Sequence, residues 1–170
     1  MRLRRMTAAT FPGGVPGSPS ATGRRSAGLH PELVAAVIQH MRFCAPEEAC
    51  GLLAVDAGGE PVMAYCLTNV DRSPRRRFTV DPAEHYRAMR HAEANGWAIG
   101  GSFHSHPRGR AVPSPVDVAA ALDPTWWYVV AGPTSRPEVR AYRIVDGMVA
   151  DAWAADGPAS GVGEPGDAAR

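Results

Sequence analysis

Hydrophobic positions along the chain follow two periods. Behind Pro31, the residues Leu33, Val34, Val37, Ile38 and Met41 recur at helical spacing, and Pro46 ends that helix. Ala49–Val55 is a short unbroken apolar run that reads as a buried strand, and Ala57-Gly58-Gly59 is a turn. Val62–Leu67 predicts a second strand, Arg72–Arg77 a polar loop and Phe78–Val80 a further short strand. Asp81-Pro82-Ala83-Glu84 carries a cap, a first-turn proline and the acid of a capping box, so a helix opens there; Gly96 stops it. Trp97–Phe103 predicts a strand that runs into two histidines. A loop over residues 107–113 and a helix from Pro115 to about Leu122 follow. Trp126–Val130 is strongly β-prone. Glu138–Val145 and Met148–Trp153 flank Asp146-Gly147, a tight-hairpin signal. Strands mixed with two or three helices predict an α/β sandwich.

One domain is expected over residues 29–154, with disordered tails at 1–28 and 155–170. The first tail holds five arginines, no acid and many Gly, Pro, Ser and Thr. Its proline and glycine density argues against an amphipathic transit helix, and it has no apolar stretch long enough for a secretory signal. The net charge is +1, so no global field favours nucleic acid or a membrane surface. All 18 cationic residues are arginine, a bias that fits a GC-rich genome. Three cysteines, Cys44, Cys50 and Cys66, form no CxxC pair, which suits a reducing compartment; a cytoplasmic protein is expected. No apolar run reaches the roughly 18 residues of a membrane span.

The chemistry concentrates in His104-Ser105-His106-Pro107, followed by Ser114 and Asp117. On a strand, His104 and His106 point to one face and Ser105 to the other. Two imidazoles and the Asp117 carboxylate would supply three zinc ligands and leave a fourth position for water, the arrangement of a catalytic rather than a structural zinc. Ser114-Pro115-Val116-Asp117 is also a respectable helix start on its own, and both roles can coexist.

Together these residues resemble the JAMM (MPN-plus) zinc metalloprotease family: an upstream Glu, then His-x-His-Pro, then Ser and Asp at the spacing seen here. Pro46-Glu47-Glu48-Ala49-Cys50-Gly51-Leu52-Leu53 is similar to the family's Glu-x-x-Gly-Leu segment. Asn69-Val70, Phe78-Thr79-Val80-Asp81-Pro82 and Asp146-Gly147 extend the similarity over about residues 30–153. The resemblance implies a cytidine-deaminase-like sandwich with a central mixed β-sheet flanked by helices. It implies one zinc ion per chain held by His104, His106 and Asp117, with Glu48 as general base and Ser114 as oxyanion donor. It further implies a peptide or isopeptide substrate, for a short bacterial type the C-terminus of a ubiquitin-like sulfur-carrier protein. A non-catalytic MPN-type scaffold and a cell-wall or phage-type peptidase are the alternatives.

Other residues read more simply. Cys50 is expected to be a buried packing residue, although a thiol two positions from Glu48 could serve catalysis. Arg75-Arg76-Arg77 is expected to be an exposed loop, or else a grip for an acidic partner or a substrate carboxylate. Trp126-Trp127-Tyr128 is expected to alternate between core and surface rather than form a binding platform. His30, His40, His85 and His91 lack ligand spacing and are expected at the surface.

Overall fold

The computed structural model describes residues 28–155, so the expected tails lie outside the described residues except for Gly28 and Ala155. Helix α1 (Pro31–Cys44) starts at its proline and buries Leu33, Val37 and Met41, the face its spacing predicts. Strand β1 (Cys50–Val55) is buried at every position, and β2 (Pro61–Leu67) pairs with it. Helix α2 (Pro82–Ala94) is capped by Asp81, whose carboxylate accepts the N–H groups of Ala83 and Glu84, both at 2.9 Å. Strand β3 (Ala98–Ser105), helix α3 (Pro115–Ala120) and strands β4 (Trp127–Gly132), β5 (Glu138–Val145) and β6 (Met148–Ala155) complete the order. Asp146 and Gly147 both take positive φ, 49° and 75°, as a tight Asp-Gly hairpin requires.

Two elements differ from expectation. Phe78–Val80 is not a strand: only Val80 forms a bridge, to Asn69. The segment is held instead by the Asn69 side chain, which takes the N–H of Thr79 and the carbonyl of Arg77. Helix α3 stops at Ala120 and Ala121 is already extended. Pro124 has no N–H to bond the Ala120 carbonyl, so the helix cannot run on.

The sheet has the order β2-β1-β3-β4-β5-β6, and every pair is antiparallel except β3–β4. It is the mixed sheet flanked by helices that the sequence implies. Alternation divides its two faces. Leu53, Phe103, Val129 and Ala141 face α1 and form the main core with Leu33, Val37 and Met41. On the opposite face, Leu52, Tyr65 and Leu67 pack under Ala88 and Ala92 of α2, while Val130, Tyr142 and Ile144 pack under Val118 of α3. Each buried Val, Leu, Ile, Phe or Met among them contributes about 1.5–3 kcal/mol on burial. The C-terminal end of β3 lies between these two smaller clusters, at the one parallel pairing in the sheet. Among the described residues, no helix is long and apolar enough to cross a membrane.

The Phe103 ring reaches the main core over Gly51, which has no side chain to block it. A Cβ at Gly51 would lie 2.1 Å from the Tyr65 carbonyl oxygen and 2.3 Å from the Phe103 ring. Gly51→Ala is therefore expected to destabilise the fold by on the order of 3 kcal/mol, because a backbone atom cannot step aside. Thermal unfolding measures this; an unchanged midpoint would mean that β2 moves freely, against the assignment of a rigid ladder.

Candidate active site

His104 is the penultimate residue of β3, and His106 follows the strand's end. The His106 N–H still bonds the Ala131 carbonyl at 2.7 Å, so the extended geometry carries through and both imidazoles share one face. Their Nε2 atoms lie 3.1 Å apart. Asp117, in the first turn of α3, brings Oδ2 to 3.3 Å from the first and 3.5 Å from the second. A tetrahedral zinc with bonds of about 2.0 Å has ligand–ligand edges of about 3.3 Å, so the three donor atoms already form one face of such a tetrahedron. They are the group of side chains among the described residues suited to hold a metal ion.

Each corner of this triangle is held from outside. Asp117 and Ser114 form a capping box: the Ser114 N–H donates to Asp117 Oδ2 at 2.6 Å, and the Asp117 N–H donates to Ser114 Oγ at 3.3 Å. The helix cap thus aims the carboxylate. His106 Nδ1 lies 3.1 Å from the Arg110 carbonyl, which can only accept, so Nδ1 carries a proton and Nε2 is the ring atom turned to the triangle. The His104 ring stacks on Phe78 at 4.7 Å and 18°. Gly132 lets the turn after His106 settle against β4, since a Cβ there would meet the His106 carbonyl oxygen at 2.4 Å.

Glu48 arrives by register. Antiparallel β1 and β3 pair Cys50 with His104, and continuing that register by two residues sets Glu48 opposite His106 on the same face. Ser105 locks this arrangement. Its N–H donates to the Ala49 carbonyl at 3.0 Å, and its Oγ accepts the Ala49 N–H at 2.9 Å. The Glu48 N–H donates to the Pro74 carbonyl at 2.7 Å, and Asn69 Nδ2 donates to the Glu48 carbonyl at 3.0 Å. Glu48 is only 7% exposed, whereas Glu47 faces solvent.

The charges follow from burial and contact. Burial pushes the Glu48 carboxyl up to about 7, partly opposed by His106. Burial lowers the His104 pKa despite its contact with Asp117, while His106 is raised chiefly by its hydrogen bond to Asp117. Burial would raise Asp117, but the hydrogen bonds from His104 and His106 outweigh it and hold the carboxyl well below the usual carboxylate range. The site therefore keeps one firm anion on the triangle and one proton-exchanging carboxyl beside it.

Glu48, His104, His106, Ser114 and Asp117 line one cavity of about 500 Å³. Arg76, Arg77 and Phe78 also line it, as do Val116, Leu122, Trp126, Tyr128 and Ile144. The five residues singled out in the sequence are thus brought together. Arg75–Arg77 are exposed as expected, yet two of the three face the site. Trp127 is buried while Trp126 and Tyr128 line the cavity, so the expected alternation holds and its outer positions belong to the site. Cys50 is fully buried with its thiol pushed up to about 12 by burial, the state of a packing residue. His40 departs from the expected surface position: it is half-buried against the Phe103 ring, with Nε2 3.1 Å from the Leu67 carbonyl. Ser105, Asn69, Phe78 and Gly132 were not singled out as supports. Ser105 carried a physical signal, as a polar residue at a position facing the core; Asn69 and Phe78 carried only the family resemblance, and Gly132 none.

Residues 30–145 match the family model described as prokaryotic homologs of the JAB domain. The chain is 37% identical over 129 residues to the CysO-cysteine peptidase of Mycobacterium tuberculosis, which covers 72% of this chain and 86% of that protein. It is 34% identical over 112 residues to a probable TtuB-protein conjugate cleaving protease of Thermus thermophilus, covering 64% and 70%. Among solved structures, protein DSY2949 from Desulfitobacterium hafniense superposes with a TM-score of 0.64 at 32% identity, covering 73% of this chain and 88% of that one.

The raised Glu48 pKa makes a prediction that is independent of turnover. A carboxyl raised from 4.5 to about 7 by folding holds its proton more tightly in the folded state. It costs no stability at pH 4 and progressively more as pH climbs towards 7. In metal-free protein, Glu48→Gln should gain stability on the parent between pH 5 and pH 8, by about 1–3 kcal/mol at roughly 1.4 kcal/mol per unit. Urea unfolding in a chelating buffer measures the difference; an equal difference at both pH values would sink the claim that Glu48 is desolvated.

Proposed function

The chain belongs to the family of prokaryotic homologs of the JAB domain, and from that footing we propose that it is a zinc-dependent peptidase. Its proposed substrate is a peptide or isopeptide bond at the C-terminus of a ubiquitin-like, sulfur-carrier type of protein. The triangle of His104 Nε2, His106 Nε2 and Asp117 Oδ2, with buried Glu48 in the same cavity, is the observation that carries the reading. The names of the relatives support the substrate class, since one is a peptidase of CysO-cysteine and another a protease of TtuB-protein conjugates.

His104, His106 and Asp117 would hold the ion. When bound, zinc supplies Lewis acidity, polarising a carbonyl and bringing the pKa of a coordinated water to about 7. Glu48 accepts the proton of the attacking water. Burial raises the pKa of this carboxyl, which makes it a better proton acceptor than an exposed glutamate. The same side chain then delivers it to the leaving nitrogen. Hydroxyl joins the carbonyl carbon, the C–N bond breaks, and the products are a carboxylate and a free amine. Ser114 uses its hydroxyl oxygen to accept the Asp117 N–H, which leaves the hydroxyl proton to donate to the oxyanion that develops on the carbonyl.

Metal analysis is expected to find about one zinc per chain, and a chelator should abolish activity until zinc is restored. Glu48→Gln should keep its zinc and lose about a thousand-fold or more in kcat. Asp117→Ala should lose zinc itself. Zinc-replete Glu48→Gln protein with unimpaired turnover would remove Glu48 from the proton-carrying role.

A further inference from the structure

The cavity has a direction. Across the sheet it runs from Glu48, at the entry to β1, over the histidines at the C-terminal end of β3, to Tyr128 on β4 and Ile144 on β5. Its two ends differ in chemistry. The β4–β5 end is mostly apolar, with Leu122, Trp126 and Ile144 beside the single carboxylate of Asp123. The Glu48 end carries Arg76 and Arg77, the only arginines in the lining among the described residues, where the other ionisable side chains besides the two histidines and Tyr128 are carboxyls: Glu48, Asp71, Asp117 and Asp123.

The loop that presents these arginines is built onto Glu48. Pro74 accepts the Glu48 N–H at 2.7 Å. Asn69 Nδ2 donates to both the Glu48 carbonyl and the Arg77 carbonyl at 3.0 Å, while its Oδ1 accepts the N–H groups of Asp71 at 3.0 Å and Thr79 at 3.1 Å. Asp71 spends its carboxylate on the same loop, accepting from the Ser73 N–H at 2.7 Å and the Thr79 hydroxyl at 3.0 Å. Neither Arg76 nor Arg77 forms an ion pair among the described residues. Two arginines of the loop tied to Glu48 thus line the cavity, with no ion pair to either among the described residues.

We infer that Arg76 and Arg77 are specificity-determining residues that read the free α-carboxylate of the residue released by cleavage. This inference rests on the peptidase reading above. Glu48 hands its proton to the leaving nitrogen, so the leaving group lies at the Glu48 end and the acyl side extends along the apolar wall. If the leaving group is a single amino acid, its carboxylate sits two bonds from the nitrogen, within the reach of a long side chain rooted in that loop. Guanidinium groups match a carboxylate in charge and in planar, two-pronged geometry. A lysine ε-amine released from an isopeptide carries no carboxylate near the nitrogen. The enzyme therefore favours removal of one C-terminal residue over cleavage of a lysine linkage.

The test uses full-length, zinc-loaded protein and a ubiquitin-fold protein whose Gly-Gly tail is extended in three ways: by one alanine with a free carboxylate, by one alanine amide, and by an isopeptide to a lysine side chain. For the parent enzyme, kcat/KM for the free acid is expected to exceed that for the amide about ten-fold, with the isopeptide slower than the acid. The acid-to-amide ratio should fall towards one in Arg76→Gln/Arg77→Gln and below one in Arg76→Glu/Arg77→Glu, and it should shrink as salt rises. Calorimetry on Glu48→Gln protein should show the same acid-over-amide preference in binding, without turnover. Cleavage of acid and amide at equal rates, a ratio that survives both double variants, or faster cleavage of the isopeptide would overturn the inference. Failure to cleave any of the three would instead strike at the peptidase reading, and the calorimetric preference would still decide the role of the arginines.

Discussion

The antiparallel pairing of β1 with β3 is the constraint on which the site depends. Cys50 opposite His104 sets the register, and two residues further along the same ladder Glu48 faces His106. A slip by one residue would turn Glu48 to the other face of the sheet and into the main core, where no group could take its charge. The Ser105 and Ala49 bonds close the ladder at the point where a slip would begin. Gly51 keeps the strands close enough for the Phe103 ring to cover them. Core packing on one face therefore fixes the spacing of the chemistry on the other.

The second constraint is the shared use of one helix start. Ser114 and Asp117 satisfy the backbone of α3 and hold a carboxylate against two imidazoles at the same time. A helix of six residues has little stability of its own, so its packing through Val118 onto Val130, Tyr142 and Ile144 keeps the third corner of the triangle in place. The long-range partners of the site are ordinary core residues. The electrostatic result is a pair of carboxyls driven apart: hydrogen bonds from the histidines keep Asp117 anionic, and burial leaves Glu48 able to exchange a proton near neutrality.

Most elements were legible along the chain because their signals are local. Pro31, Asp81 with Pro82, and Ser114 with Pro115 mark helix starts by chemistry that acts within one turn. Asp146-Gly147 marks its hairpin because only a few residue types accept positive φ. Phe78–Val80 misled because its β-prone residues are held by one distant side chain, that of Asn69, and not by a ladder. His40 misled for a similar reason: lacking ligand spacing, it carried no sign that Phe103 and Leu67 would enclose it.

By itself the sequence determined which groups the site contains and the local geometry that pairs them. His104 and His106 share a face because a strand alternates, and Ser114 meets Asp117 because a capping box spans three residues. Family resemblance selected Glu48 over its neighbour, with no physical signal at either position. Only the tertiary structure decided how the parts meet. It joined Glu48 to His106 across 58 positions of chain, set Ser105 and Asn69 as supports, and turned Arg76 and Arg77 toward the same cavity. Those relations come from strand register and from packing between elements, energies that no short window of residues contains.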